Sequence, residues 1–165
     1  MAKRTDDSDR MGVLFVCLGN ICRSPMAEAI FLHHVREREL LDRFDIDSCG
    51  TGQWHVGERP DPRAVQVAKK NGVDMTSIAR QLDPSSDFDR FDLFIPMDRE
   101  NQGHLIGAGA PQSKVRLMRS FDPAHASKPN DAPDVPDPYF GEGDGFKNVF
   151  EMLSLACTGM LDELS

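Results

Sequence analysis

The short apolar run Gly12-Val13-Leu14-Phe15-Val16, together with the loop and helix start after it, restricts the fold more than any other part of the chain. Cys17-Leu18-Gly19-Asn20-Ile21-Cys22-Arg23-Ser24 comes next, then Pro25 and a helical pattern of Met26, Ala27, Ala29, Ile30 and Leu32. An apolar run this short, bounded by turn residues, reads as a buried strand, and Ser-Pro reads as the opening of a helix. A strand, a tight loop and a helix start aim successive backbone N–H groups at one point and add the positive end of a helix dipole. A thiolate and an oxyanion are both stabilised in such a place. An arginine can also fork onto two oxygens of an anion. A nucleophile and an anion cradle therefore share one short loop.

The rest of the chain reads as alternating strands and helices. Residues 12–17 form the first strand, and residues 24–40 a helix ending in Arg36-Glu37-Arg38-Glu39. Residues 44–49 form a second strand, followed by a Gly-rich loop to Gly57. Asp61-Pro62 opens a helix that stops at Asn71-Gly72. Residues 91–95 form a third strand, Asp98 caps a further helix, and residues 115–118 form a fourth strand. Asp122 to Pro138 holds five prolines and reads as a loop; residues 145–164 are an amphipathic helix. The expected fold is α/β: a single three-layer domain with a four-stranded parallel sheet and helices on both faces. Ligands in such sheets bind beyond the strand C-termini, where Cys17 lies.

At 165 residues the chain suits one domain, expected over residues 11–165 after a disordered leader at 1–10. The charged start lacks the apolar core of a signal peptide, and no apolar run approaches the ~20 residues of a membrane span, so a cytoplasmic protein is expected. A net charge of −8, from 19 basic and 27 acidic residues, argues against nucleic-acid and anionic-membrane partners. Four scattered cysteines (Cys17, Cys22, Cys49, Cys157) do not make a disulfide framework. Zinc is not expected: Cys17 and Cys22 have no second ligand pair, and the adjacent His33 and His34 point to different faces of their helix.

Cys17 stands where a helix N-terminus and Arg23 both favour a thiolate, whereas Cys22 lies inside the loop and faces the cradle less well. Ser24 is placed to donate a hydrogen bond to the sulfur. A cysteine and an arginine with five residues between them are a weak pattern alone; the strand before, Gly19 within and Ser-Pro after give it weight. A thiolate attacking phosphorus expels an alkoxide or phenoxide, which needs a proton. Asp137 is the best donor, stiffened by Pro136 and Pro138 and followed by Tyr139 and Phe140; Asp134, Asp131 and Asp122 compete on the same loop.

Val16 to Met26, continued by Ala27-Glu28, resembles the active-site loop of the low-molecular-weight protein tyrosine phosphatases, and Asp137-Pro138-Tyr139 resembles their acid loop. Ile46-Asp47-Ser48, Ala79-Arg80-Gln81-Leu82, Phe91-Asp92 and Met97-Asp98 with Asn101 are similar to further segments of that family, so the resemblance spans residues 11–163. It implies hydrolysis of phosphotyrosine through a cysteinyl-phosphate intermediate. Cys17 would be the nucleophile, Arg23 the transition-state clamp, and Asp137 the general acid and then the general base. A phosphate-binding loop would use the amides of Leu18, Gly19, Asn20, Ile21, Cys22 and Arg23. Asn20, of a type tolerant of left-handed backbone, would hold the loop by bonding Ser48, and Ser24 would stabilise the sulfur. Trp54, Tyr139 and Phe140 would wall the slot for an aromatic ring.

No metal or organic cofactor is implied, since the cradle itself neutralises charge. Cys22 would be a redox partner of Cys17 in a reversible disulfide. The implied partner is a phosphotyrosine protein, with tyrosine kinases among the candidates, and the chain is expected to be a monomer or weak dimer. Two departures stand out. Asn71 replaces a histidine frequent before the glycine that ends the second helix, and Phe140 replaces a second tyrosine. Three rival readings carry less. A thioredoxin-coupled arsenate reductase needs further cysteines between Cys49 and Cys157, where there are none. An arginine-phosphate phosphatase of the same family tends to carry threonine where this chain has Ile21. A phospho-ligand binding module needs neither the thiol nor the acid.

Overall fold

β1 (Met11–Cys17) is the central strand of a three-stranded parallel sheet, in the order β2-β1-β3. The computed structural model describes residues 10–141 and 143–165; residues 1–9 of the expected leader lie outside the described residues. β2 (Phe44–Gly50) runs along one side of β1 from Met11↔Phe44 to Cys17↔Gly50, and β3 (Leu93–Pro96) along the other from Val13↔Leu93 to Val16↔Pro96. A strand paired on both edges and covered on both faces has no place for a polar residue, which is why Val13 to Val16 are continuously apolar and wholly buried.

The two faces carry separate cores, giving three layers. On one face α1 (Arg23–Glu37), α2 (Pro62–Lys70) and α5 (Gly145–Leu164) pack their apolar sides, including Phe31, Ala64 and Leu153, over Val13 and Phe15. On the other, residues before and within α4 (Arg99–Gly107) enclose Leu14, Val16 and Phe94 with Phe88 and Leu105. Among the described residues no helix is long and apolar enough to cross a membrane.

The structure corrects several sequence expectations. The fourth strand is reduced to a single bridge between Phe94 and Val115. Arg116 N donates to Phe94 O at 3.0 Å, and the chain then turns into a 3-10 turn at Met118–Phe121 that Ser120 Oγ closes onto Leu117 O. Val115, Leu117 and Met118 are apolar because they fill the core, not because they extend a ladder. The first helix stops at Glu37, three residues early. Glu39 adopts φ 56°, and Leu40 N donates back to Val35 O, which ends the helix as a left-handed glycine often does.

A helix that the sequence reading omits, α3 (Pro84–Arg90), is capped by Asp83, whose carboxylate accepts from Ser85 N. Asp83-Pro84 repeats the signal of Asp61-Pro62, but Pro84–Arg90 has no apolar periodicity and buries only Asp87. The third strand consequently begins at Leu93, after Phe91 has ended α3.

Candidate active site

Cys17 ends β1 and is almost wholly buried, at 3 % exposure. Its Sγ lies 2.9 Å from Ser24 Oγ and accepts from Asn20 N at 3.3 Å. α1 begins at once, starting at Arg23 with Cys22 in the capping position and no side chain capping its first turn, which leaves amides there for another acceptor. The second strand presses against this loop. A β carbon at Gly50 would stand 2.7 Å from Leu18 O, so only glycine allows β2 to end there.

Asn20 carries the bend. It sits at φ 57° and is buried, a conformation that costs a non-glycine residue about 1–2 kcal/mol and so needs local partners. Its Nδ2 donates to Ser24 Oγ at 2.8 Å and to Ser48 Oγ at 3.0 Å, while its Oδ1 accepts from Arg80 N at 3.0 Å. Behind it, Ser48 Oγ donates to Glu28, whose carboxyl is pushed up to about 7, chiefly by burial, against the pull of the Ser48 bond. Arg80 in turn forks onto both oxygens of buried Asp87 and donates to Asp47.

Arg23 is as buried as Cys17. Its Nη1 donates to Asp98 Oδ2 at 2.7 Å and to Val135 O at 3.0 Å, and its Nη2 lies 3.6 Å from Asp137 Oδ2. Asp98 does two jobs at once. Its other oxygen accepts from Asn101 N in a capping box that starts α4, while Asn101 Oδ1 accepts from Asp98 N. The capping role was visible in the sequence; the hold on Arg23 was not.

A cavity of about 380 Å³ opens over this arrangement, lined by Cys17, Leu18, Gly19, Ile21, Cys22, Arg23, Trp54, His55, Asp137, Tyr139 and Phe140. Asp137 is alone among the four competing acids in lining it. Asp134 is held by Arg99 at 2.8 Å, Asp122 is buried and accepts from Ala124 N, and Asp131 ends a short 3-10 turn. Asp137 Oδ1 accepts from Tyr139 N at 3.0 Å, fixing the turn that presents it. Trp54 and Phe140 are 71 % and 90 % exposed where they line the cavity. Tyr139 packs edge-on to Phe140 with ring centres 4.9 Å apart.

Cys22 is buried where it lines the cavity, and burial first, then Asp61 and Cys17, pushes its thiol far up. Asn71, the departure noted in the sequence, turns its amide back onto Val67 O and does not reach the loop. The sequence reading missed His55, which packs against Gly19, pairs with Glu58 at 3.1 Å and lies 5.9 Å from the Tyr139 ring. Its only sequence signal is adjacency to Trp54.

The comparisons agree with this geometry. The family model described as "Low molecular weight phosphotyrosine protein phosphatase" matches residues 12–165. A low molecular weight phosphotyrosine protein phosphatase of Schizosaccharomyces pombe is 48 % identical over 144 residues, covering 86 % of this chain and 88 % of its own length. The crystal structure of a protein tyrosine phosphatase from Entamoeba histolytica, with Hepes in the active site, superposes with a TM-score of 0.85 at 37 % identity, covering 93 % of this chain and 96 % of that one. A Drosophila arginine phosphatase superposes with a TM-score of 0.81 at 34 % identity, covering 94 % and 98 %. The chain belongs to the low molecular weight phosphotyrosine protein phosphatase family.

Proposed function

We propose that the protein hydrolyses phosphotyrosine in proteins through a phosphocysteine intermediate on Cys17. The observation that carries this reading is the meeting of a buried thiol, a buried guanidinium and one carboxyl at a single cavity, with Arg23 Nη2 3.6 Å from Asp137. In the first step Cys17 Sγ attacks phosphorus as the P–O bond to tyrosine breaks, and protonated Asp137 gives its proton to the departing phenoxide. Arg23 and the amides from Leu18 to Arg23 meet the charge on the equatorial oxygens. In the second step ionised Asp137 takes a proton from water as that water attacks phosphorus. The S–P bond then breaks, and Ser24 stabilises the thiolate that leaves.

The lining supports an aromatic ester. Ile21 is apolar, and Trp54, Tyr139 and Phe140 offer rings to stack on a phenyl group. The reading places the protein in the cytoplasm, where reducing conditions keep Cys17 a thiol, with a phosphotyrosine protein as its partner. Steady-state hydrolysis of matched phosphotyrosine, phosphoserine and phosphoarginine peptides tests it. Phosphotyrosine is expected to be cleaved fastest, and Cys17→Ser to abolish turnover. Full turnover by Cys17→Ser, or a preference for phosphoarginine, would refute the reading.

A further inference from the structure

The acid-bearing loop and the nucleophile's loop are far apart in sequence, and one pair on α2 touches both. Asp61, the N-cap of α2, donates its backbone N–H to Ile21 O at 2.8 Å and is buried. Its carboxylate accepts from Arg63 three times, from N at 2.8 Å, Nε at 3.0 Å and Nη2 at 2.8 Å. The same Nη2 donates to Tyr139 O at 3.1 Å, and the guanidinium lies over the rings of Phe146, 4.6 Å away, and Tyr139, 5.5 Å away. Tyr139 N, one peptide away, is the donor that fixes Asp137. An unbroken path therefore runs from Ile21 through Asp61 and Arg63 to the turn that presents Asp137.

We propose that Arg63 is a positioning residue that ties the 137–141 turn to the 18–22 loop, and so sets where Asp137 stands relative to Cys17. The inference rests on reading Asp137 as the proton donor. A planar fork is required, because one guanidinium must satisfy Asp61 and Tyr139 O together while its face stays on the Phe146 ring. The hydrogen bonds from Arg63 lower the pKa of the Asp61 carboxyl, which favours the ionised form that the tie uses.

A misplaced acid harms the ester whose leaving group most needs a proton. kcat/KM for phenyl phosphate, whose leaving group is as basic as tyrosine's, is compared with that for p-nitrophenyl phosphate, whose leaving group departs readily as an anion. The comparison uses the full chain and the variants Arg63→Ala, Asp137→Asn and the double variant. Arg63→Ala is expected to lower the phenyl phosphate value about 10-fold and the p-nitrophenyl phosphate value about 2-fold. It should add little once Asp137→Asn is present, since the two act as one unit. Arg63→Lys, which keeps the charge and loses the fork, carries the same comparison if the alanine variant does not fold. Equal losses on both esters, or the same loss with and without Asp137, would overturn the inference. If Asp137→Asn itself does not discriminate between the esters, the proton-donor reading falls first and the positioning role with it.

Discussion

Glu28 gives the sharpest test of the physical reasoning, because its protonation is coupled to the loop through one hydroxyl. Its carboxyl is half-buried, accepts from Ser48 Oγ and holds its proton up to about pH 7, against an ordinary value of 4.5. Burial is the main cause; Asp47 adds to it, while the Ser48 bond and Arg80 oppose it. Below pH 4.5 the carboxyl is neutral in the folded and unfolded chain alike, and folding is not penalised. As pH rises toward 7 the unfolded chain loses the proton first, so stability is lost across that window and is lowest above it. At about 1.4 kcal/mol per pH unit, the gap between 4.5 and about 7 amounts to about 3 kcal/mol.

Glu28→Gln keeps an oxygen for Ser48 Oγ and removes the charge. Urea denaturation at a series of pH values from 4.5 to 8 should show the variant close to the parent at pH 4.5. By pH 8 the variant should be more stable by up to about 3 kcal/mol, with the difference growing through pH 5–7. A difference that is the same at every pH would mean that no proton is held there, and would refute the account of Glu28 as a buried carboxyl linked to Ser48.

Asp98→Asn keeps an oxygen to cap α4 but takes from the buried Arg23 guanidinium the nearer of its two carboxylates, leaving Asp137 at 3.6 Å. Stability should fall by about 3 kcal/mol in thermal or urea unfolding, and phosphatase activity by more than 10-fold. Peroxide should convert Cys17 to a sulfenic acid that the Cys22 thiol attacks, releasing water and leaving a disulfide, which peptide mass spectrometry detects. Sulfonic acid at Cys17 with Cys22 still a free thiol would exclude that route. Glu39→Gly relieves a left-handed residue at an exposed helix end and should raise the melting temperature slightly, by about 0.5 kcal/mol in stability; a fall would show that the Glu39 side chain contributes more than the strain costs.

Local signals in the sequence carried the elements they could describe. The apolar run ending in Cys17, Asp61-Pro62 before α2, Asp98 before α4 and the amphipathic period of α5 all name their elements, because each is a short-range effect of burial or capping. The fourth strand failed because Val115 and Leu117 are apolar for packing while their backbone turns away, and side-chain pattern does not distinguish the two. α3 failed in the opposite way, with a cap present and Phe88 alone as an apolar contact, too little for a period to show. Within the site, residues of the octet were readable because they are contiguous. Asp98, Arg80, Arg63 and His55 act through partners 75, 60, 76 and 36 positions away, and no periodicity links such pairs. Asp137 stood out among four acids by its flanking prolines and by the family resemblance; its place on the cavity, with Asp134 turned to Arg99, is a tertiary fact that the sequence does not carry.

The left-handed Asn20 is held by Ser24 from its own segment, but also by Ser48 from β2 and the backbone of Arg80 from a third part of the chain. The octet is consequently not a portable cassette. Grafted onto the first strand of another parallel sheet, the same eight residues would carry the sulfur and the guanidinium but would relax out of shape unless a hydroxyl at the end of the neighbouring strand and an amide at the Arg80 position came with them. Transplanting catalysis would therefore mean transplanting the sheet edge.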